Sequence, residues 1–243
     1  MARIRLYIDH PMAKGQPVPV EAAQAHYLSG VMRLRAGDDI LVFNGRDGEW
    51  SARIVQAGKR GGSLEIVAQT APQRDPPDLW LLFAPIKKAR TDFIVEKAAE
   101  MGASRIQPVQ TEFTNSERIR QDRLQAHAIE AAEQCGGTYV PKVGDLVSLP
   151  RLLDDWDERR RILWADEVMA GPVQTLSELP RGPWAILVGP EGGFSNAERA
   201  RLSGMAAVTR ISLGPRILRA DTAAVAAMTL WQAVLGDWQK GPD

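Results

Sequence analysis

An α/β fold preceded by a smaller β-rich domain is what the chain's patterning predicts, and three observations carry that expectation. Residues 1–68 alternate short apolar segments with turn formers. The stretch QTAPQRDPPD, Gln69–Asp78, holds three Pro among polar residues and reads as a linker, dividing the chain into 1–72 and 73–243. From Leu79 onward, continuous apolar runs alternate with helix-periodic segments, as in a mostly parallel sheet covered on both faces.

The elements follow in order. One helix is predicted from Glu21 to Met32. DDILVFNGRDGEWSARIVQA predicts a hairpin, Ile40–Phe43 and Trp50–Val55 joined through Asn44-Gly45 or Asp47-Gly48. GSLEIVAQ adds a strand, so the first domain reads as mainly β and barrel-like. In the second domain LWLLFAP, residues 79–85, is a buried strand. TDFIVEKAAEMG then places Ile94, Ala98 and Met101 on one helix face, with Thr91 as N-cap and Gly102 as stop. RIQPV is a short strand. DRLQAHAIEAAEQCG sets Leu124, Ala128, Ala131 and Cys135 on one helical stripe, which makes Cys135 a small buried residue. RILWAD, WAILVG and VTRISLG are three further strands, the last two followed by helices.

Composition bounds the function. The 243 residues are 44% hydrophobic, enough for full cores, and carry zero formal net charge. That excludes a polybasic protein, although a local basic face is sufficient for RNA. A single Cys forms no internal disulfide, and the three scattered His make no zinc pattern, so no metal is expected and a reducing, cytoplasmic setting is. No signal-peptide core or membrane-length apolar run is seen, so no membrane partner is expected.

Two Gly-Pro turns stand out: LVGPEGGFSNAE from Leu187 to Glu198, and LGPRILRADTAA from Leu213 to Ala224. Both follow strands and precede helices, at the carboxyl ends where open α/β sheets bind ligands. Ser195 to Glu198 is a capping-box pattern, which starts a helix at Ser195. Asp221 or Thr222 is the expected cap of the last helix, whose buried face is Ala224, Met228, Trp231 and Leu235. Gly189, Gly192, Gly193 and Gly214 permit positive φ and close backbone approach, and Leu213, Ile217 and Leu218 supply apolar walls. Neither turn is a dinucleotide fingerprint or a P-loop. The residues by themselves therefore lead to a nucleotide-like ligand between loops, and no further.

Both turns closely resemble the two C-terminal motifs of the RsmE family, the 16S ribosomal RNA uracil-N3 methyltransferases of the SPOUT class. KKARTDFIVEKAAEMGASRIQPVQTEFTNSE, AIEAAEQCGGTYVP and YLSGVMRLRAGDDILVFNGRDGEW are similar to earlier segments of the same family, so the resemblance spans nearly the whole chain. It implies a PUA-like β-barrel RNA-binding domain over 1–72 and, over 73–243, a SPOUT methyltransferase domain with a C-terminal trefoil knot. It also implies a homodimer, S-adenosylmethionine bound in the knot loops, and methylation of N3 of one uridine in 16S rRNA of the 30S small ribosomal subunit. By that resemblance Leu187, Gly189, Pro190, Gly192, Leu213, Gly214, Ile217, Leu218 and Thr222 hold the cofactor. Asp221 stands where the family usually has Glu, and Gly137 where Arg is common.

Uracil N3 is protonated and a poor nucleophile, so a guanidinium beside its carbonyl oxygens would favour the anion. Arg219 is the first candidate and Arg216 the second. Glu191 either accepts the proton, directly or through water, or fixes the loop through backbone N–H groups. Phosphate contacts are expected from Lys87, Lys88 and Arg90, clustered at the carboxyl end of the first buried strand, and from Arg3, Arg33 and Arg35, with Arg5 on the same face. Residues 1–72 hold nine Lys or Arg against seven acids, a small excess. The competing reading is a non-catalytic RNA-binding ribosome-assembly factor on the same fold. The intact Gly, Glu and Arg positions of both motifs argue against it.

Overall fold

The chain forms two compact units, Met1–Asp75 with Ala132–Val140, and Pro76–Ala131 with Pro141–Asp243. The computed structural model describes residues 4–58, 60–115, 118–168 and 176–239.

The first unit is a five-stranded sheet in the order β1-β3-β4-β5-β2. Its strands are β1 (Arg5–Tyr7), β2 (Pro17–Val20), β3 (Asp39–Phe43), β4 (Glu49–Gly58) and β5 (Gly61–Ala71). All pairings are antiparallel except β1 with β3. Inward residues recur at every second position, Ala52 and Ile54 on β4 and Leu64 and Ile66 on β5, as the two-residue period of a strand requires. The hairpin turn is held by Asn44, whose Oδ1 accepts from the amides of Arg46 and Asp47 at 2.9 and 2.8 Å. Among the described residues β1 and β2, the two ends of this order, do not pair with each other. The predicted 21–32 helix is divided. Helix α1 (Ala22–His26), with a Glu21–Gln24 capping box, runs into one π-helical turn, Tyr27–Val31, and the two bury Ala25 and Leu28 against the sheet. Strand β5 continues to Ala71, so the linker is shorter than its composition suggests.

Arg5 is an internal strut. Its guanidinium donates to the carbonyls of Ala132 (2.7 Å), Glu133 (3.0 Å) and Gly137 (2.9 Å) at the end of a helix, and to Glu49 Oε2 at 2.7 Å. A cation there satisfies carbonyls that a helix end leaves without partners. With a side chain only 10% exposed, Arg5 does not join an RNA-facing row.

In the second unit seven parallel strands form one sheet: β6 (Leu79–Phe83), β7 (Arg105–Gln110), β8 (Lys142–Val143), β9 (Val147–Ser148), β10 (Arg161–Ala165), β11 (Trp184–Val188) and β12 (Val208–Ile211). Their order is β12-β10-β11-β6-β7-β8, with β9 also on β7. Helices α2 (Lys88–Glu100), α3 (Gln121–Cys135) and α6 (Ala220–Val234) cover one face; α4 (Leu149–Asp154) and α5 (Asn196–Ser203) belong to the other. Along β11, Trp184, Ile186 and Val188 enter the first core while Ala185 and Leu187 enter the second. That double burial is why these strands read as unbroken apolar runs.

Two helix starts and one cysteine differ from expectation. Helix α2 begins at Lys88, three residues before the predicted cap. Thr91 is instead buried inside its first turn, where its hydroxyl donates to Ile86 O and accepts from Ile86 N, both at 3.0 Å. Helix α6 begins at Ala220, with Arg219 at the N-cap position and Asp221 in its first turn. Cys135 is exposed, because it is the last residue of α3, where the helical stripe has run out.

Thr91→Val preserves shape but strands both backbone groups of buried Ile86. It should cost roughly 1–3 kcal/mol, read as a lower urea midpoint at unchanged slope.

Candidate active site

Strand order decides which loops meet. Because β10 lies between β11 and β12, the two Gly-Pro turns flank the short segment that leaves β10, Asp166–Val168. A cleft opens there, lined by Ala165, Asp166 and Glu167 from the end of β10, by Leu213, Gly214, Arg216, Ile217 and Leu218 from the second turn, and by Ala223 of α6. Gly214 has φ +110°, and its amide donates to Ser212 Oγ at 3.2 Å, which turns the chain sharply out of β12. Ile217 is 81% exposed on the rim.

Asp166 holds this region together. It is 3% exposed and accepts from Arg199 Nη1 at 2.6 Å and from Arg210 Nε at 3.0 Å, with a second Arg210 nitrogen closer still. The amide of Val168 adds a bond at 3.2 Å. Burial by itself would raise this carboxyl; the bonds from Arg199 and Arg210 outweigh it and hold the group below the usual carboxylate range. Arg199 also pairs with Glu167 and donates from Nε to Phe194 O at 3.1 Å. Both guanidiniums lie near the Trp164 ring, at 5.7 and 5.1 Å from its centroid.

The first turn is shaped by close approaches. A Cβ at Gly189 would lie 2.6 Å from the Phe194 ring, which itself packs edge-on against Trp164. Gly193 has φ +71°, and a Cβ there would overlap Glu167. The predicted capping box is present: Ser195 Oγ accepts from Glu198 N at 3.3 Å, and Glu198 Oε2 accepts from Ser195 N at 2.9 Å. Glu198 Oε1 also accepts from Glu112 N at 2.9 Å, tying the turn to the loop after β7.

The sequence-predicted residues fall into groups. Leu213, Gly214, Ile217 and Leu218 line the cleft together with Arg216. Pro190 and Glu191 line a second hollow with Lys87, Lys88 and Asn115. Gly192 abuts Phe113, 3.2 Å from a Cβ placed on the glycine. Leu187 turns its side chain into the core with Trp164, Phe194 and Leu202, away from the cleft. Thr222 is exposed on α6, its amide donating to Asp221 Oδ1 at 2.8 Å. The exposed Arg219 side chain has no hydrogen bond or ion pair to any described residue. Arg33 and Arg35 are exposed in the first unit, Arg33 with φ +57°. Arg3 lies outside the described residues.

Sequence reasoning missed the partners. Arg90, in the first turn of α2, donates to Glu191 Oε1 at 2.6 Å and stands 3.7 Å from Asp221 Oδ2, linking the two turns. Local sequence marks Arg90 only as one of the Lys87, Lys88 and Arg90 cations expected to meet phosphate; its pairing is not encoded there, since Glu191 is 101 positions away. Arg199 and Arg210 were equally hidden. The only available clue was buried-strand context, which left Asp166 at the end of RILWAD in need of cationic partners.

The comparisons with known proteins agree with this arrangement. Residues 73–232 match the model of an RNA methyltransferase domain, and residues 20–67 that of an RNA methyltransferase PUA domain. Ribosomal RNA small subunit methyltransferase E of Rickettsia conorii is 31% identical over 228 residues, covering 92% of this chain and 93% of the relative. The Bacillus subtilis protein of the same name is 29% identical over 86% of this chain and 87% of its own length. Among solved structures, ribosomal RNA small subunit methyltransferase E of Neisseria gonorrhoeae, bound to S-adenosyl methionine, superposes with a TM-score of 0.88 at 28% identity, covering 98% of this chain and 100% of that one. A Legionella pneumophila protein in complex with bound SAM gives the same TM-score, identity and coverage.

Asp166→Asn should cost roughly 1–3 kcal/mol, less than the roughly 3–5 kcal/mol of a fully buried pair, because Arg210 is 41% exposed. The native carboxyl is depressed, so its contribution is complete above the unfolded value of about 3.9 and is lost as pH falls through the lower folded value. Denaturation across pH should therefore show a constant wild-type advantage from about pH 5 to 7, closing below about pH 4.

Proposed function

Because this chain belongs to the RNA methyltransferase family, we propose that it transfers a methyl group from S-adenosylmethionine to N3 of a uridine in the small-subunit ribosomal RNA. The observation that carries this reading is the meeting of both motif turns around Asp166, with Arg219, which has no partner among the described residues, at the N-cap of α6.

The cleft has the chemistry such a donor needs. Leu213, Ile217 and Leu218 are apolar walls for an adenine, and Gly214 leaves backbone groups accessible beside them. Glu167 supplies a carboxylate on the facing side, suited to hydroxyls or a positive centre. These residues, with the backbone of the Gly189–Gly193 turn, would hold the cofactor. Bound there, it supplies an electrophilic methyl group.

The rest is work for the chain's own side chains. The N3 proton must leave before nitrogen can present its lone pair, and the resulting charge spreads to the flanking carbonyl oxygens. Arg219 is exposed and has no described partner, so it can meet that charge without breaking an existing pair. Arg216, on the cleft wall, is the second cation within the same turn. Glu191 uses Oε1 for Arg90, while Oε2 has no described partner and can accept the proton directly or through water. Arg90 thereby sets where Glu191 points. Exposed Lys87 and Lys88, beside Glu191 in the second hollow, and Arg33 and Arg35 in the first unit are assigned to phosphate contact. The target base must leave its stack to reach the cleft. The same reading carries the family's homodimer and its C-terminal knot, and among the described residues no helix is long and apolar enough to cross a membrane.

Arg219→Ala should reduce turnover on small-subunit particles by about 10²-fold or more, the scale of a lost charge-stabilising donor, while calorimetry finds cofactor affinity largely intact. Loss of cofactor binding in parallel with turnover would make Arg219 a structural residue instead.

A further inference from the structure

We propose that the RNA strand flanking the reacting base lies in a cationic trough running from Glu191 past the N-terminus of α2 to Arg118 and Arg120, with Phe113 as a base-stacking surface at its inner end. This rests on the activity proposed above and names how its substrate is held.

Two hollows make the trough, and they share Ile86 and Lys88. The inner one brings Lys87, Lys88 and Asn115 to Pro190 and Glu191. The outer one continues from Lys88 to Arg118, Arg120 and Arg123, over a floor that includes Ile119 and Leu124. Lys87, Lys88 and Arg118 have no side-chain hydrogen bond or ion pair to any described residue. Among the described residues Arg120 pairs only with Asp122, and both side chains are mostly exposed, at 76% and 66%. Such a pair is weak in water and is readily exchanged for a phosphate. Arg123 differs: it is held by Asp92, whose side chain is 13% exposed, and so belongs to the wall. Among the described residues, the acids at the trough are Glu191, which lines the inner hollow, Asp92, which lines the outer one, and Asp122, the partner of Arg120.

The shape argues for a strand rather than a compact anion. The cations are strung along two joined hollows and do not converge on one point, as they would around a single phosphate. At the inner end Phe113 is 43% exposed, and its Cβ lies 3.2 Å from where a Gly192 Cβ would stand, beside the turn that carries Glu191. A cationic track ending in an exposed ring is the pattern by which proteins hold unpaired strands.

The test uses the full chain with Arg118→Gln and Arg120→Gln combined, and separately Phe113→Leu, assayed on small-subunit RNA. These positions are exposed, and cofactor calorimetry serves as the folding control. The double variant should raise KM for RNA by about tenfold with kcat near wild type. It should also flatten the slope of log affinity against log salt by about 1.4, at roughly 0.7 per lost contact on a single strand. Phe113→Leu should weaken RNA binding roughly tenfold while leaving the salt slope unchanged. Wild-type KM and salt slope in the double variant would overturn the trough. A wild-type chain that binds this RNA with the trough-dependent slope but transfers no methyl would overturn the activity and leave the trough standing.

Discussion

Asp166 accepts hydrogen bonds from Arg199, on the helix that follows β11, and from Arg210, on β12. One carboxylate at the end of β10 thus joins the three strand ends around the cleft. A carboxylate with 3% exposure carries a desolvation penalty of several kcal/mol, and it persists only if its oxygens are saturated by donors. Here they are, by two guanidiniums and the Val168 amide. Removing any one member exposes the others to that penalty, so the arrangement holds as a unit. Its consequence for function is positional. Arg199 also grips Phe194 O and Glu167, so the first turn and the cleft wall take their places from the same group.

The sheet order then separates two environments. On the β10–β12 side lies the cleft of Leu213, Ile217 and Leu218, where Asp166 is already neutralised by its arginines. On the β6–β11 side lies the hollow of Lys87, Lys88 and Glu191, where both lysines have no ion pair to any described residue. The Gly189–Gly193 turn stands between the two: Gly193 abuts Glu167 of the cleft, while Pro190 and Glu191 line the basic hollow. A methyl donor and an RNA phosphate both require charge, but of opposite sign. In the proposed reading a single glycine-rich turn divides them, so that one short loop would face both ligands, and Glu198 bonds that loop to both Ser195 and Glu112.

Much of this was legible because it is local. The capping box at Ser195 depends on residues three apart, and the strands of the second unit announce themselves by apolar runs that double-sided burial demands. The Gly-Pro pattern located both turns, and the resemblance gave them a role. What it could not supply was pairing. Arg199 and Arg210 reach Asp166 from 33 and 44 positions away, and no periodicity encodes such a meeting. Arg5 read as a surface cation because its role depends on helix carbonyls more than 120 residues distant. The start of α2 was misplaced for a related reason. Thr91 is a good cap by type, but its hydroxyl is spent on buried Ile86, and Lys87 takes the N-cap position without a side-chain bond.

The shorter acid at position 221 shows how a small departure is absorbed. Its Oδ1 accepts from the amide of Thr222 at 2.8 Å, in the first turn of α6, where a carboxylate meets the positive end of the helix. Held there, Asp221 reaches Arg90 only at 3.7 Å, and Arg90 closes instead on Glu191 at 2.6 Å. The Arg90–Glu191 pair is 31% and 50% exposed, so it contributes roughly 0.2–1 kcal/mol at most. Its value lies in direction. The 3.7 Å separation leaves room for a longer acid at 221 to compete with Glu191 for Arg90. With Asp in place, Arg90 has one dominant partner, and the carboxylate nearest the basic hollow keeps a defined bearing on the space where the RNA base would enter.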